Sequence, residues 1–112
     1  MGIVFERVKD SLPVSGDDYN SQIVTQIKAA VLDLTRTAEI VLPGDVEISV
    51  SGTTVTDNST LTDELAITAI ATWCNMRIGN PPNYDNLLEA YKSIKGSMRT
   101  SKEYSTYEGA TV

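Results

Sequence analysis

Leu65-Ala66-Ile67-Thr68-Ala69-Ile70-Ala71-Thr72-Trp73-Cys74-Asn75-Met76-Arg77-Ile78 decides the fold. On a helix its apolar side chains cover nearly the whole circumference. Only Thr68, Thr72 and Asn75 leave a thin polar stripe. A helix that is apolar on almost all sides lies at the centre of a domain, with other elements around it. Its start is marked by Thr60-Leu61-Thr62-Asp63-Glu64, with Thr60 and Asp63 in capping-box-like spacing. Gly79 suits its end, and Pro81-Pro82 prevents continuation.

The segments on either side supply the covering elements. Phe5, Val8 and Leu12 fall on one face of a short helix over residues 5–12, stopped by Pro13. Ser15 or Asp17 is placed to cap a second helix, with Asp17 and Asp18 at the positive end of its dipole. Tyr19, Ile23, Ile27, Ala30, Val31, Leu34 and Ala38 then recur at steps of three and four, which predicts a helix over about 18–39. Pro43-Gly44 signals a turn. Beyond it the period becomes two: Val46, Ile48 and Val50 alternate with Glu47, Ser49 and Ser51, and Gly52-Thr53-Thr54-Val55-Thr56 follow. That pattern predicts a β-hairpin or extended loop around 45–57, which needs another surface to pack on. A last helix over about 83–99 carries Tyr84, Leu87, Leu88, Tyr91, Ile94 and Met98 as its stripe. The fold class is mainly α: a short N-terminal helix, a three-helix core, the hairpin, and an extended C-terminal tail. Residues 1–102 read as one helical domain and 103–112 as a flexible tail.

The chain has 112 residues, 9 Lys and Arg against 15 Asp and Glu, and a formal charge of −6. That length suits one domain with a modest core. The acidic balance argues against tight phosphate binding, which needs clustered cations. An acidic wall does suit a path along which DNA must not stick. The first residues carry no basic-then-apolar leader pattern, and no apolar stretch nears the roughly 20 residues of a membrane span. Cys74 is the single cysteine, so no intrachain disulfide forms.

Enzymatic chemistry finds no support in these residues. There is no histidine, the commonest general base. Cys74 reads as core filling rather than as a nucleophile. Acid pairs at Asp17-Asp18 and Asp63-Glu64 read as helix caps, and neither they nor the acids near Asp57 have the spacing of a calcium loop. No cofactor or metal is expected. Lys92, Lys95, Arg99 and Lys102 make a basic ridge along and past the last helix. Two readings stay open: cations favourable to a helix C-terminus, or a contact for an acidic partner. Tyr104 and Tyr107 just beyond would serve such a contact, since aromatics anchor interfaces. Arg77 is either a solvated cation or one half of an ion pair at the end of the central helix.

Taken together, the segments resemble a known family. Val8-Lys9-Asp10-Ser11-Leu12, then Asp17-Asp18 before a long helix, look like its opening. Trp73-Cys74-Asn75-Met76-Arg77 resembles its aromatic helix end with a terminal arginine, although Cys74 stands where tyrosine is expected. Leu87-Leu88-Glu89-Ala90-Tyr91-Lys92 looks like its LLxxYR/K element. The family is that of the small head-tail connector, or adaptor, proteins of long-tailed bacteriophages, some of which are labelled DNA-packaging or head-completion proteins. The resemblance covers roughly residues 6–95.

Membership would imply a structural virion protein at the neck, assembled from the host cytoplasm. Its subunits would form a homo-oligomeric ring, usually twelvefold, beneath the portal protein, extending the DNA channel and presenting a surface to a second connector or tail-completion protein. DNA would pass without specific binding, and no membrane is involved. On this reading Lys95, Arg99, Lys102, Tyr104 and Tyr107 are candidates for the portal contact. Glu47, Ser49, Ser51, Thr53 and Thr54 are candidates for an inter-subunit or channel loop, and Arg77 for the helix-end ion pair. The alternative is a small protein–protein interaction module that forms no ring.

Overall fold

The computed structural model describes residues 2–78, 82–101 and 104. The described chain is mainly helical, with one two-stranded hairpin. The elements are α1 (Val4–Asp10), α2 (Asn20–Leu32), a π-helical segment (Asp33–Thr37), β1 (Ile48–Ser51), β2 (Thr54–Asp57), α3 (Glu64–Arg77) and α4 (Tyr84–Arg99).

Helix α3 is the centre, packing against α1, α2 and α4. Asp63 caps it, its carboxylate accepting from the Ala66 N–H at 3.0 Å. Thr60 takes no part in that cap; its hydroxyl accepts from the Asp45 N–H at 2.8 Å and holds the preceding loop. Ala66, Ile67, Ala69, Ile70, Cys74 and Met76 are buried, against Val4, Phe5 and Val8 of α1, Ile23, Ile27 and Ala30 of α2, and Tyr91 and Met98 of α4 in one continuous core. Gly79 and Pro81, expected to end α3, lie outside the described residues.

The long helix departs from expectation at both ends. It begins at Asn20 without a side-chain cap; the Asp17 carbonyl accepts from the Asn20 N–H, and Tyr19 stands exposed. Asp17 is instead drawn to Lys9 at 3.5 Å. Past Leu32 the spiral widens, and the Ala38 N–H reaches back five residues to the Asp33 carbonyl. The apolar stripe alone could not show this, because Leu34 and Ala38, at a spacing of four, are buried in the π segment and its end as they would be in an α-helix. The segment closes on Glu39 in the left-handed conformation, φ 56°, with the Ile40 N–H on the Leu34 carbonyl.

In the hairpin, Val50 faces Val55 and Ser51 faces Thr54 across a two-residue turn. Gly52 takes its first position at φ 63°, where a side chain would be strained. Ile48 is buried and Val50 and Val55 pack on the core, while Ser49, Ser51, Thr54 and Thr56 face outward. The hairpin is clamped to the body at both ends. At its tip the Asn20 amide donates to the Thr53 carbonyl at 2.8 Å. At its base Asp57 accepts from the N–H groups of Phe5 and Ser59 and, through its carbonyl, of Gly2.

The C-terminal region holds the second departure. Tyr104, expected at the start of a tail, is buried in the core. Its hydroxyl donates to Asp63 at 2.7 Å, and its carbonyl accepts from the Val41 N–H at 2.7 Å. The folded unit therefore reaches at least Tyr104.

Candidate functional site

A seam of polar and aromatic side chains joins the three long helices. Trp73 comes from the last turns of α3. Its indole N–H donates to Gln26 of α2 at 3.0 Å, and its ring meets Tyr91 of α4 edge-on, with centroids 5.4 Å apart. Tyr91 donates its hydroxyl to Asp33 at 2.5 Å. Lys95, one turn further along α4, reaches the same carboxylate oxygen at 3.1 Å. Arg77 lies over the outer face of Trp73, its guanidinium carbon 4.3 Å from the ring centroid. An exposed cation–aromatic contact of this kind contributes on the order of 0.5–1 kcal/mol.

Two groups at the seam, Tyr91 and Cys74, hold their protons more firmly than usual. Burial drives the Tyr91 phenol well above its usual value, and its hydrogen bond to the Asp33 carboxylate and that group's charge add to the effect; Arg77 pulls weakly the other way. A phenol held so firmly protonated donates a hydrogen bond and does not act as a base. Cys74, next to Trp73 in α3, is buried, its thiol pushed up to about 12 by burial, so little thiolate forms at neutral pH. Among the described residues no group of three or more His, Cys, Asp or Glu is placed to hold a metal ion. The seam can brace helices and present Trp73 and Arg77 at a surface, where Trp, Tyr and Arg are the residue types that dominate interface energetics.

The structure divides the basic ridge. Lys95 turns inward to Asp33 and lies against Tyr91, while Lys92 and Arg99 remain exposed. Lys102 and Tyr107 lie outside the described residues, and Tyr104 faces the core rather than a partner. Glu47, Ser49, Ser51, Thr53 and Thr54 form one exposed strip along the hairpin, with the backbone of Thr53 tied to Asn20. Arg77 makes no ion pair among the described residues; its neighbour is the Trp73 ring.

Three polar residues matter here that their position in the sequence did not single out: Asn20, Asp33 and Asp57. Asn20 is buried, bonded to Thr53 on one side and to Lys9 at 2.8 Å on the other. Asp57 had a local signal, since Asp-x-Ser favours the turn in which the side chain accepts from the N–H two residues on.

Comparison with protein families, curated proteins and solved structures finds no match to this chain.

Proposed function

We propose that this chain is a head-tail connector subunit, forming a ring below a phage portal and carrying the DNA channel toward the tail. The observation that carries this reading is the contact between Trp73 and Tyr91. The two strings that give the resemblance, Trp73–Arg77 and Leu87–Lys92, are separate in sequence. In the fold their aromatic residues meet at 5.4 Å, with Arg77 stacked outside. The two elements that carry the resemblance thus pack against each other, which supports reading them together. The order of elements agrees with it: a short helix, a long helix, a hairpin, an apolar central helix and an amphipathic last helix.

On this reading the exposed hairpin strip, with Glu47, Ser49, Ser51 and Thr54, faces a neighbouring subunit or the channel. Arg99 and the residues past Tyr104 supply the portal contact. The net charge of −6 keeps passing DNA from adhering. The test is native mass spectrometry of the purified chain mixed with its cognate portal ring. A complex with one copy per portal subunit is expected. A chain that stays monomeric and ignores the portal would overturn the reading in favour of a single-partner interaction module.

A further inference from the structure

We propose that this chain pairs head to tail with a second copy of itself. The Arg77–Trp73 platform of one copy seats in an acidic-rimmed groove of the next, between the end of the long helix and the loop leading to the hairpin. The groove has a volume of about 650 Å³; Val31, Val41, Leu42 and Val46 line it, with Asp45 and Glu47 on its rim. Val41 is 36% exposed there, and Leu32 beside Val31 is 52% exposed. Exposed aliphatic side chains beside a polar rim mark a surface that meets another molecule. Both acids are exposed, and neither carboxylate has an ion pair or hydrogen bond among the described residues. Their backbone is nonetheless fixed. The Asp45 N–H donates to the Thr60 hydroxyl at 2.8 Å, and the Glu47 N–H donates to the Ser59 hydroxyl at 2.9 Å. The rim is thus a pair of charges held in place and left unanswered within one copy.

The complement is carried by the same chain. Arg77 is exposed, makes no ion pair among the described residues, and stacks on the Trp73 ring with its guanidinium carbon 4.3 Å from the centroid. Stacking fixes the guanidinium plane and leaves its N–H edge free to fork onto a carboxylate. Trp73 is itself held by Gln26 and Tyr91, so the platform is ordered before any partner arrives. An aromatic ring with a stacked cation matches an aliphatic groove with two carboxylates on its rim, in polarity and in charge. Within one copy the two patches face away from each other. Gln26, which holds Trp73, and Val31, which lines the groove, lie on α2 about 140° apart around its axis. Each copy therefore keeps one platform and one groove free for two different neighbours. That is a heterologous contact, which on repetition builds a ring or a filament rather than a closed pair. The contact stands on this geometry; its place in a ring below a portal rests on the connector reading, and there it gives Glu47 to the neighbouring subunit rather than to the channel.

The test needs no portal. Methyl and indole NMR signals of the full chain are followed from micromolar to millimolar concentration at low salt, where the charges are least screened. The Trp73 indole and the Val31, Val41, Leu42 and Val46 methyls should shift together as concentration rises, while the Ile70 methyls stay in place. The variants R77E and D45K/E47K, each alone, should lose these shifts; the side chains replaced are exposed, and unmoved Ile70 methyls confirm that the fold is kept. Mixing the two variants should restore the shifts, because each reversed charge then meets an opposite one on the neighbouring copy. Wild-type signals that ignore concentration overturn the proposal. So does a variant that alone shifts as the wild type does, or a mixture that restores nothing. The portal experiment judges the connector reading separately. A chain that loads the portal without coupling between Arg77 and the acidic rim sinks this contact alone. One that pairs head to tail but ignores the portal sinks the connector reading alone.

Discussion

Tyr91 donates its hydroxyl to the Asp33 carboxylate at 2.5 Å across 58 residues of sequence. The bond ties α4, which packs mainly on α3, directly to the residue where α2 widens into the π segment. Asp33 is committed twice there. Its side chain holds Tyr91 and Lys95, and its carbonyl takes the five-residue bond from Ala38. A π turn carries one more residue than an α turn and so re-aims the side chains around it.

Truncating Asp33 should therefore cost more than truncating either partner. Asp33→Ala strands the Tyr91 hydroxyl and the largely buried Lys95 ammonium together, and should lower stability by about 2–4 kcal/mol. Tyr91→Phe leaves Asp33 its bond to Lys95 and should cost about 1–2 kcal/mol. Lys95→Met keeps the packing and should cost less than about 1 kcal/mol. Urea unfolding monitored by the single tryptophan gives the order; equal effects from all three variants would contradict it.

Stability should fall on the alkaline side. In the unfolded chain Cys74 ionises near its usual 9.0, while the folded chain holds the proton to about 12. Tyr91 is raised above its usual 10.0 in the same sense. Above these unfolded values the unfolded state binds fewer protons, so stability is fully present below about pH 9 and drains away above it. The slope reaches about 1.4 kcal/mol per pH unit for each group. Urea midpoints between pH 7 and 11 should be flat and then drop. Cys74→Ala should delay the onset of the drop by about one unit.

The helical core was legible because it is periodic. The central helix, the last helix and the hairpin all follow from apolar spacing, and the Asp63 cap from a local signal. What the sequence hid depends on pairings over tens of residues. Nothing near Asp33 announces Tyr91, and nothing near Asn20 announces Thr53. Tyr104 lies in a Ser/Thr-rich stretch without helical period, so its burial rests on Asp63 and Val41, both far away in sequence. Lys95 fitted the spacing of a surface ridge, yet the π segment places an acid where it turns inward.

The Asn20 clamp should govern the hairpin tip. Asn20→Ala removes the donor to the Thr53 carbonyl and the acceptor for Lys9, at a cost of about 1–3 kcal/mol. Amide exchange should speed up first at residues 49–56, before α3 responds. Exchange rising uniformly over the whole chain would show that Asn20 supports the core rather than the hairpin.

Glu39 offers a gain. It holds φ 56° with an exposed side chain, just past the end of the long helix, a position where glycine carries no steric penalty. Glu39→Gly should raise stability by about 0.5–1 kcal/mol after the greater freedom of glycine in the unfolded chain is subtracted. Calorimetry should then show a Tm a few degrees higher. A lowered Tm would mean that the Glu39 side chain contributes something its exposure does not suggest.

Where the C-terminal segment is cut should matter more than how much is removed. A chain ending at residue 102 loses the buried Tyr104 ring, its bond to Asp63 at the cap of α3 and its carbonyl's bond to Val41. Removing a core aromatic costs roughly 3–5 kcal/mol, a large share of the stability of so small a domain. A chain ending at Tyr104 keeps all three interactions and should unfold within about 1 kcal/mol of the full chain. Thermal unfolding of the two truncations separates the cases: a drop in Tm of well over 10 °C for the first, and a few degrees at most for the second. If both fall equally, the stabilising contacts come from the residues after Tyr104. If neither falls, the anchor on Asp63 is worth less than its burial implies. The comparison also sets the terms for any portal-binding assay, because only the chain ending at Tyr104 removes the segment without disturbing the cap of α3.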